Sequence, residues 1–205
     1  MAHDILDQVR RHRAMVIFRG QSPRECLSLA EVLHGEGIRL FEVTLNSADP
    51  FAAITALRAE YGDELPVGAG TVLTAADVER AADAGAQFVV SPHVDEDVLA
   101  RAGQLGLGTV PGAFTATEVV RAVRLGADVV KVFPISPVGA EHIRQLRGPL
   151  PDVPMMATGG VGPELAGACL AAGCAGVGVG VQLLGDPSDP PSVRTQARRL
   201  RSAIG

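Results

Sequence analysis

The sequence predicts a closed parallel (β/α)8 barrel, and three observations carry that prediction. One unit recurs along the chain: an amphipathic helix stops at a glycine and passes at once into a short apolar strand. Eight such strands follow one another at intervals of about 20–27 residues. Each reads as a near-continuous apolar run, as parallel strands covered on both faces do. An open doubly wound sheet is the alternative, and no strand has the polar character of an exposed edge.

The spacing predicts strands at 14–18, 38–43, 66–70, 87–91, 107–110, 128–132, 154–158 and 175–179, each but the last followed by a clear helical pattern. An additional helix over 3–13 precedes the first strand and is placed to cover the barrel bottom. Ser22, Thr74 and Thr115 each stand three residues before an acid, the pattern of an N-cap with its reciprocal partner, so helices begin there. Gly37, Gly85, Gly106, Gly126 and Gly173 sit where helices need a left-handed residue to end. Asp186 to Pro191 form a Pro/Asp-rich loop, and a closing helix over 191–203 turns its arginines to solvent.

At 205 residues the chain fits a single domain spanning 1–205 with a sizeable core. Its net charge of -5 and scattered arginines give no electrostatic footprint for nucleic acid. No run approaches 18 apolar residues, and the N-terminus lacks the pattern of a signal peptide, so no membrane association is expected. Cys26, Cys169 and Cys174 lack CxxC spacing and read as reduced, buried thiols, which points to the cytoplasm. The five histidines, His3, His12, His34, His93 and His142, form no HxH or HxxxH pair, so no metal site is expected. His93, just past a strand, reads as a loop residue or a substrate contact.

Lys131 is the only lysine in the chain and lies within the predicted sixth strand. Arginine supplies every other permanent positive charge, and arginine cannot lose its proton and attack a carbonyl. An amine held in an apolar strand has its charged form penalised and becomes a nucleophile able to form a Schiff base. The competing reading packs its stem on the sheet and sends its ammonium to water. Glu42 follows an apolar run at the end of the second strand, where a carboxylate is costly unless paired or used. It is either partnered by Arg39 or Arg19, or it is the carboxyl group that a Schiff-base enzyme needs beside its lysine. Arg19 ends the first strand and Thr71 the third. The arginine fork suits a carboxylate or phosphate, and Gly68 and Gly70 let the backbone approach a ligand. Thr158-Gly159-Gly160-Val161 and the alternate glycines Gly176, Gly178 and Gly180 end the last two strands, where barrels build phosphate sites. Tight barrel packing is the other explanation for them.

Taken in order, Glu42-Val-Thr-Leu-Asn46-Ser47, Gly68-Ala-Gly-Thr-Val-Leu73, Val90-Ser-Pro92, Val110-Pro-Gly112, Val130-Lys-Val-Phe-Pro134 and Thr158-Gly-Gly-Val161 resemble the class I 2-keto-3-deoxy-6-phospho-aldonate aldolases from Met15 to Leu184. The resemblance implies that Lys131 forms an imine with a 2-keto group and that Glu42, through a water, moves protons during dehydration and cleavage. Pyruvate and glyceraldehyde 3-phosphate would be the products. It further implies that Thr71, Pro92 and Phe133 frame the pyruvate part, with Arg19, Thr44, Asn46 and Thr158 also on the substrate. Gly159, Gly160 and Gly180 would offer backbone to the phosphate. No cofactor is implied, the partner is a small 2-keto acid, and the assembly is a homotrimer.

Three positions depart from the gluconate-type pattern. Asn46 stands where those enzymes carry arginine, and Asn46-Ser47 is similar to the galactonate-type branch. Val181 replaces a frequent serine, whose lost hydrogen bond to a phosphate is worth about 1.5–3 kcal/mol. Phe114 is larger than usual and is expected to narrow the mouth. Three functions therefore stand side by side: an aldolase for a phosphorylated sugar acid, an aldolase for an unphosphorylated 2-keto acid such as 4-hydroxy-2-oxoglutarate, and a barrel that binds a phosphometabolite without turnover.

Overall fold

The computed structural model describes residues 4–205. Strands β1 (Ala14–Phe18), β2 (Phe41–Thr44), β3 (Val67–Gly70), β4 (Phe88–Val90), β5 (Gly108–Val110), β6 (Gly112–Ala113), β7 (Val130–Val132), β8 (Met155–Thr158) and β9 (Gly176–Gly180) pair in parallel in the order β5-β4-β3-β2-β1-β9-β8-β7-β6. The eight predicted strands are all present, and the fifth is split at Pro111. Proline has no N–H with which to continue the ladder toward β7. Its carbonyl keeps the other half of the bond: the amides of Val129, Lys131 and Phe133 donate to the carbonyls of Thr109, Pro111 and Ala113 at 3.2, 2.9 and 3.0 Å. That row joins the two ends of the strand order, so the sheet closes on itself and the open doubly wound alternative is excluded.

Most strands begin within one residue of the expected position, and β2 and β7 begin two or three residues late. The first pairing of β2 comes at Leu40, whose carbonyl accepts from Val16. Asp128 is held out of β7 by its own side chain, which accepts from the amide and hydroxyl of Thr109, both at 2.8 Å. The helices α1 (Ile5–His12), α2 (Pro23–Gly35), α3 (Pro50–Tyr61), α4 (Ala75–Asp83), α5 (Glu96–Gln104), α6 (Ala116–Arg124), α7 (Gly139–Arg147), α8 (Pro163–Ala171) and α9 (Pro190–Ile204) surround the barrel. Ser22 and Thr115 form full capping boxes with Glu25 and Glu118, and Thr74 accepts from the amide of Asp77, as the sequence predicts. Residue 3 of the predicted first helix, and His3 with it, lie outside the described residues.

The barrel interior is filled at its lower end and open at its upper end. Met15, Leu40, Phe88, Val90, Val110, Val129 and Met156 form one buried apolar cluster with Ile5 and Val9 of α1. Each such side chain, fully buried, contributes about 1.5–3 kcal/mol. Inward glycines make this packing possible. A Cβ on Gly68 would lie 2.2 Å from the Phe88 ring, one on Gly108 2.7 Å from Ile5, and one on Gly176 2.7 Å from Val9. Helix α1 therefore plugs the bottom, as expected. Outside the barrel, α9 buries Val193, Ala197, Leu200 and Ile204, while Arg198 pairs with Glu36 at 2.8 Å on its exposed side.

Candidate active site

The alternation of the strands places Glu42, Lys131 and Thr158 on the inward face one layer above the apolar plug. Glu42 is 0 % exposed, and neither carboxylate oxygen has a hydrogen-bond partner. Arg39, one of its possible partners by sequence, instead donates to the carbonyl of His34. Burial pushes the Glu42 carboxyl above its ordinary range, against the opposing pull of the Lys131 and Arg19 charges. Lys131 is 5 % exposed, with its Nζ 4.9 Å from the centroid of the Phe133 ring. Burial lowers its pKa first, the Glu42 charge raises it, and the Arg19 charge lowers it further. The solvated-lysine reading is therefore incorrect: the amine stays inside the barrel. Thr158 is 3 % exposed and its hydroxyl is also unpartnered. Two buried side chains with unpartnered polar atoms, Glu42 and Thr158, beside a buried amine are costly for folding, and such groups cluster at sites of chemistry.

Above this layer opens a cavity of about 370 Å³ at the C-terminal ends of the strands. Arg19, Thr71, Pro92, Lys131, Phe133, Thr158, Gly159, Gly160 and Gly180 line it, as do Ile17, Gly178, Gln182 and Leu183. Gly159 and Gly160 have φ of 96° and 71°, a left-handed pair that only glycine adopts readily. Thr71 has φ of 58°, an uncommon value for a β-branched residue. A larger depression of about 640 Å³ lies at the opposite end, beside Arg10, Arg13 and Cys174. It holds none of the unsatisfied polar groups.

The profile described as "Aldolase: KDPG and KHG aldolase" matches residues 5–189. The chain belongs to this family. It is 38% identical over 170 residues to the 2-dehydro-3-deoxy-6-phosphogalactonate aldolase of Escherichia coli (strain K12), covering 82% of this chain and 83% of that one. A probable 2-dehydro-3-deoxy-6-phosphogalactonate aldolase of Rhizobium meliloti (strain 1021) is 42% identical over 149 residues, covering 72% and 70%. A solved structure titled "Native KDPGal structure" superposes with a TM-score of 0.87 at 35% identity, over 93% of both chains. As a KDPG/KHG-type aldolase the chain is a carbon-carbon lyase acting on a small molecule, and the relatives favour the phosphogalactonate branch. No helix among the described residues is long and apolar enough to cross a membrane, and none of their His, Cys, Asp and Glu side chains form a metal-binding group.

Some residues implied by the family pattern sit elsewhere. Thr44 is fully buried, with its hydroxyl 3.2 Å from that of Ser47, and Asn46 lies on the rim, bonded to Arg19. Neither lines the cavity. Phe114 does not narrow the mouth: its ring stacks on His142 at 4.7 Å, and its carbonyl bonds to that imidazole at 2.7 Å. Gly70 serves Glu42 rather than a ligand, since a Cβ there would lie 1.8 Å from the carboxylate. His93 is exposed beside Asp95 and is a loop residue. Val181 is buried in the core, and Gln182 folds its carboxamide back against Gly180. Ile17 and Gly178 could have been found by extending the inward alternation. Gln182 and Leu183 follow the last strand, where no periodicity points to them.

Proposed function

We propose that the chain is a Schiff-base aldolase that cleaves 2-keto-3-deoxy-6-phosphogalactonate, or its gluconate epimer, to pyruvate and glyceraldehyde 3-phosphate. The observation that carries this is a buried Lys131 amine that lines an open cavity and feels the charge of a buried Glu42 whose carboxylate oxygens have no hydrogen-bond partner. Desolvation favours the neutral amine, which attacks C2 of the keto acid to give a carbinolamine. Glu42, acting through a water, delivers the proton with which the hydroxyl leaves, and an iminium forms. Loss of the C4 hydroxyl proton to the same carboxylate breaks the C3–C4 bond. The electron pair of that bond passes into the enamine, and the aldehyde departs. Protonation at C3 and hydrolysis then release pyruvate and the free amine.

In this reading Arg19 and Thr71 take the substrate carboxylate, Pro92 and Phe133 frame the pyruvate part, and Gly159, Gly160 and Gly180 offer backbone to the phosphate; all of them line the cavity. The reading treats residues 1–205 as one catalytic domain, working without a cofactor as a homotrimer in the cytoplasm. The trimer rests on the family resemblance alone. Reduced cysteines fit the compartment: burial pushes the thiols of Cys26 and Cys174 up to about 12. A second reading, an aldolase for an unphosphorylated 2-keto acid, is favoured by Val181, which is buried in the core and offers no hydroxyl from that position. Comparing substrate with and without phosphate separates the two.

Borohydride reduction in the presence of pyruvate should add mass at Lys131 of the native protein, and Lys131→Arg should abolish it. An unmodified native Lys131 would overturn the proposal.

A further inference from the structure

Asn46 and Ser47, just past β2, grip Arg19 and Gly20, the two residues that follow β1. Asn46 Oδ1 accepts from Arg19 Nη1 at 2.9 Å, and Ser47 Oγ accepts from the amide of Gly20 at 2.9 Å. Ser47 in turn meets the fully buried Thr44 hydroxyl at 3.2 Å, which ties the grip to the barrel wall. Gly20 takes φ of 90°, so the backbone held by Ser47 is one that glycine adopts readily and other residues do not. The remaining hold on the Arg19 head is Thr71 Oγ1 at 3.5 Å, a long contact. Asn46 is thus the closest polar partner of the guanidinium.

A free arginine at a cavity rim gains rotamer entropy by swinging into water, so one fixed orientation needs such a partner. The chemistry of that partner matters. A carboxamide holds the guanidinium and leaves its charge intact, whereas a carboxylate would cancel the field that reaches Lys131 and Glu42. Asn46 itself does not line the cavity.

We propose that Asn46 is a positioning residue: together with Ser47 it clamps Arg19 over the cavity, and it acts on substrate binding and on the reactive amine only through that arginine. The inference rests on the Schiff-base reading. It replaces the expectation that Asn46 touches substrate.

The test is a double-mutant cycle on the full chain with Asn46→Ala, Arg19→Met and the pair, reading kcat and KM for cleavage and the pH dependence of kcat/KM. Asn46→Ala should raise KM by about twofold to tenfold, the worth of one neutral hydrogen bond, with kcat little changed. The double variant should match Arg19→Met within about twofold, because the lost interaction is already gone. Arg19 lowers the pKa of Lys131, so releasing or neutralising it moves the acid limb of kcat/KM, where the amine must lose its proton to react, upward in pH. Asn46→Asp, which keeps the grip and cancels the charge, should shift that limb at least as far as Asn46→Ala. Effects of Asn46→Ala and Arg19→Met that multiply, a KM unmoved by Asn46→Ala, or a limb unmoved by Asn46→Asp would each overturn the clamp. Borohydride trapping of native protein is run in parallel. An adduct at Lys131 keeps the Schiff-base reading whatever the cycle shows, and its absence removes that reading independently of the clamp.

Discussion

The two ends of the barrel interior are built on opposite principles from the same strands. At the bottom, Phe88, Met15 and Met156 meet the α1 side chains Ile5 and Val9 in a layer made wholly of apolar side chains. One layer up, Glu42, Lys131 and Thr158 are as deeply buried, yet the Glu42 oxygens and the Thr158 hydroxyl have no hydrogen-bond partners. Stability is concentrated in the first layer, and the second is maintained against it. The contrast teaches that burial alone does not say what an interior residue is for; the satisfaction of its polar atoms does.

The comparison can be broken or sharpened by mutation. Glu42→Gln keeps the shape of the upper layer and removes its proton carrier, so kcat should fall on the order of 10²–10⁴-fold in a cleavage assay. The same change removes the influence that raises the pKa of Lys131, so the acid limb of kcat/KM, set by deprotonation of that amine, should move further below 10.5, the ordinary lysine value. Phe88→Ala acts on the lower layer. It should cost about 3–5 kcal/mol in chemical denaturation and leave the activity of the folded fraction nearly intact, with the spread set by how far the plug collapses. The smallest effect has the opposite sign. Replacing the upper pair together, Glu42→Gln with Lys131→Met, should stabilise the inactive barrel by about 1–4 kcal/mol, read from its denaturation midpoint. In the Lys131→Met background the gain from Glu42→Gln should vanish below pH 4.5, where the unfolded carboxyl is also protonated. It should grow as the pH rises above that value, because a carboxyl with a raised folded pKa loses stability in that direction. An upper-layer double variant less stable than the parent would show that the polar layer supports the fold.

Much of this was legible in the sequence because local rules governed it. Glycine stops, capping acids and apolar runs placed the strands and helices, and the scarcity of lysine singled out Lys131. Proximity across the barrel was the part that local rules could not supply. Gly70 and a glycine lining a ligand look alike until the Glu42 carboxylate is seen filling the space. The orientation of Phe114 depends on His142, 28 residues away, and that of Asn46 on Arg19, 27 residues back. Pro111 split a strand whose carbonyls still complete the closure, which hydropathy could not distinguish from an ending.

The pairing of β1 with β9 carries a further meaning. Ile17 registers with Gly180, so one wall of the cavity joins an early stretch of the chain to a late one. Contacts this distant in sequence carry a large loop-closure cost and tend to form late in folding. The pocket between Arg19 and Gly180 is therefore complete only when the seam is shut, and turnover becomes a gauge of whether the barrel has finished assembling.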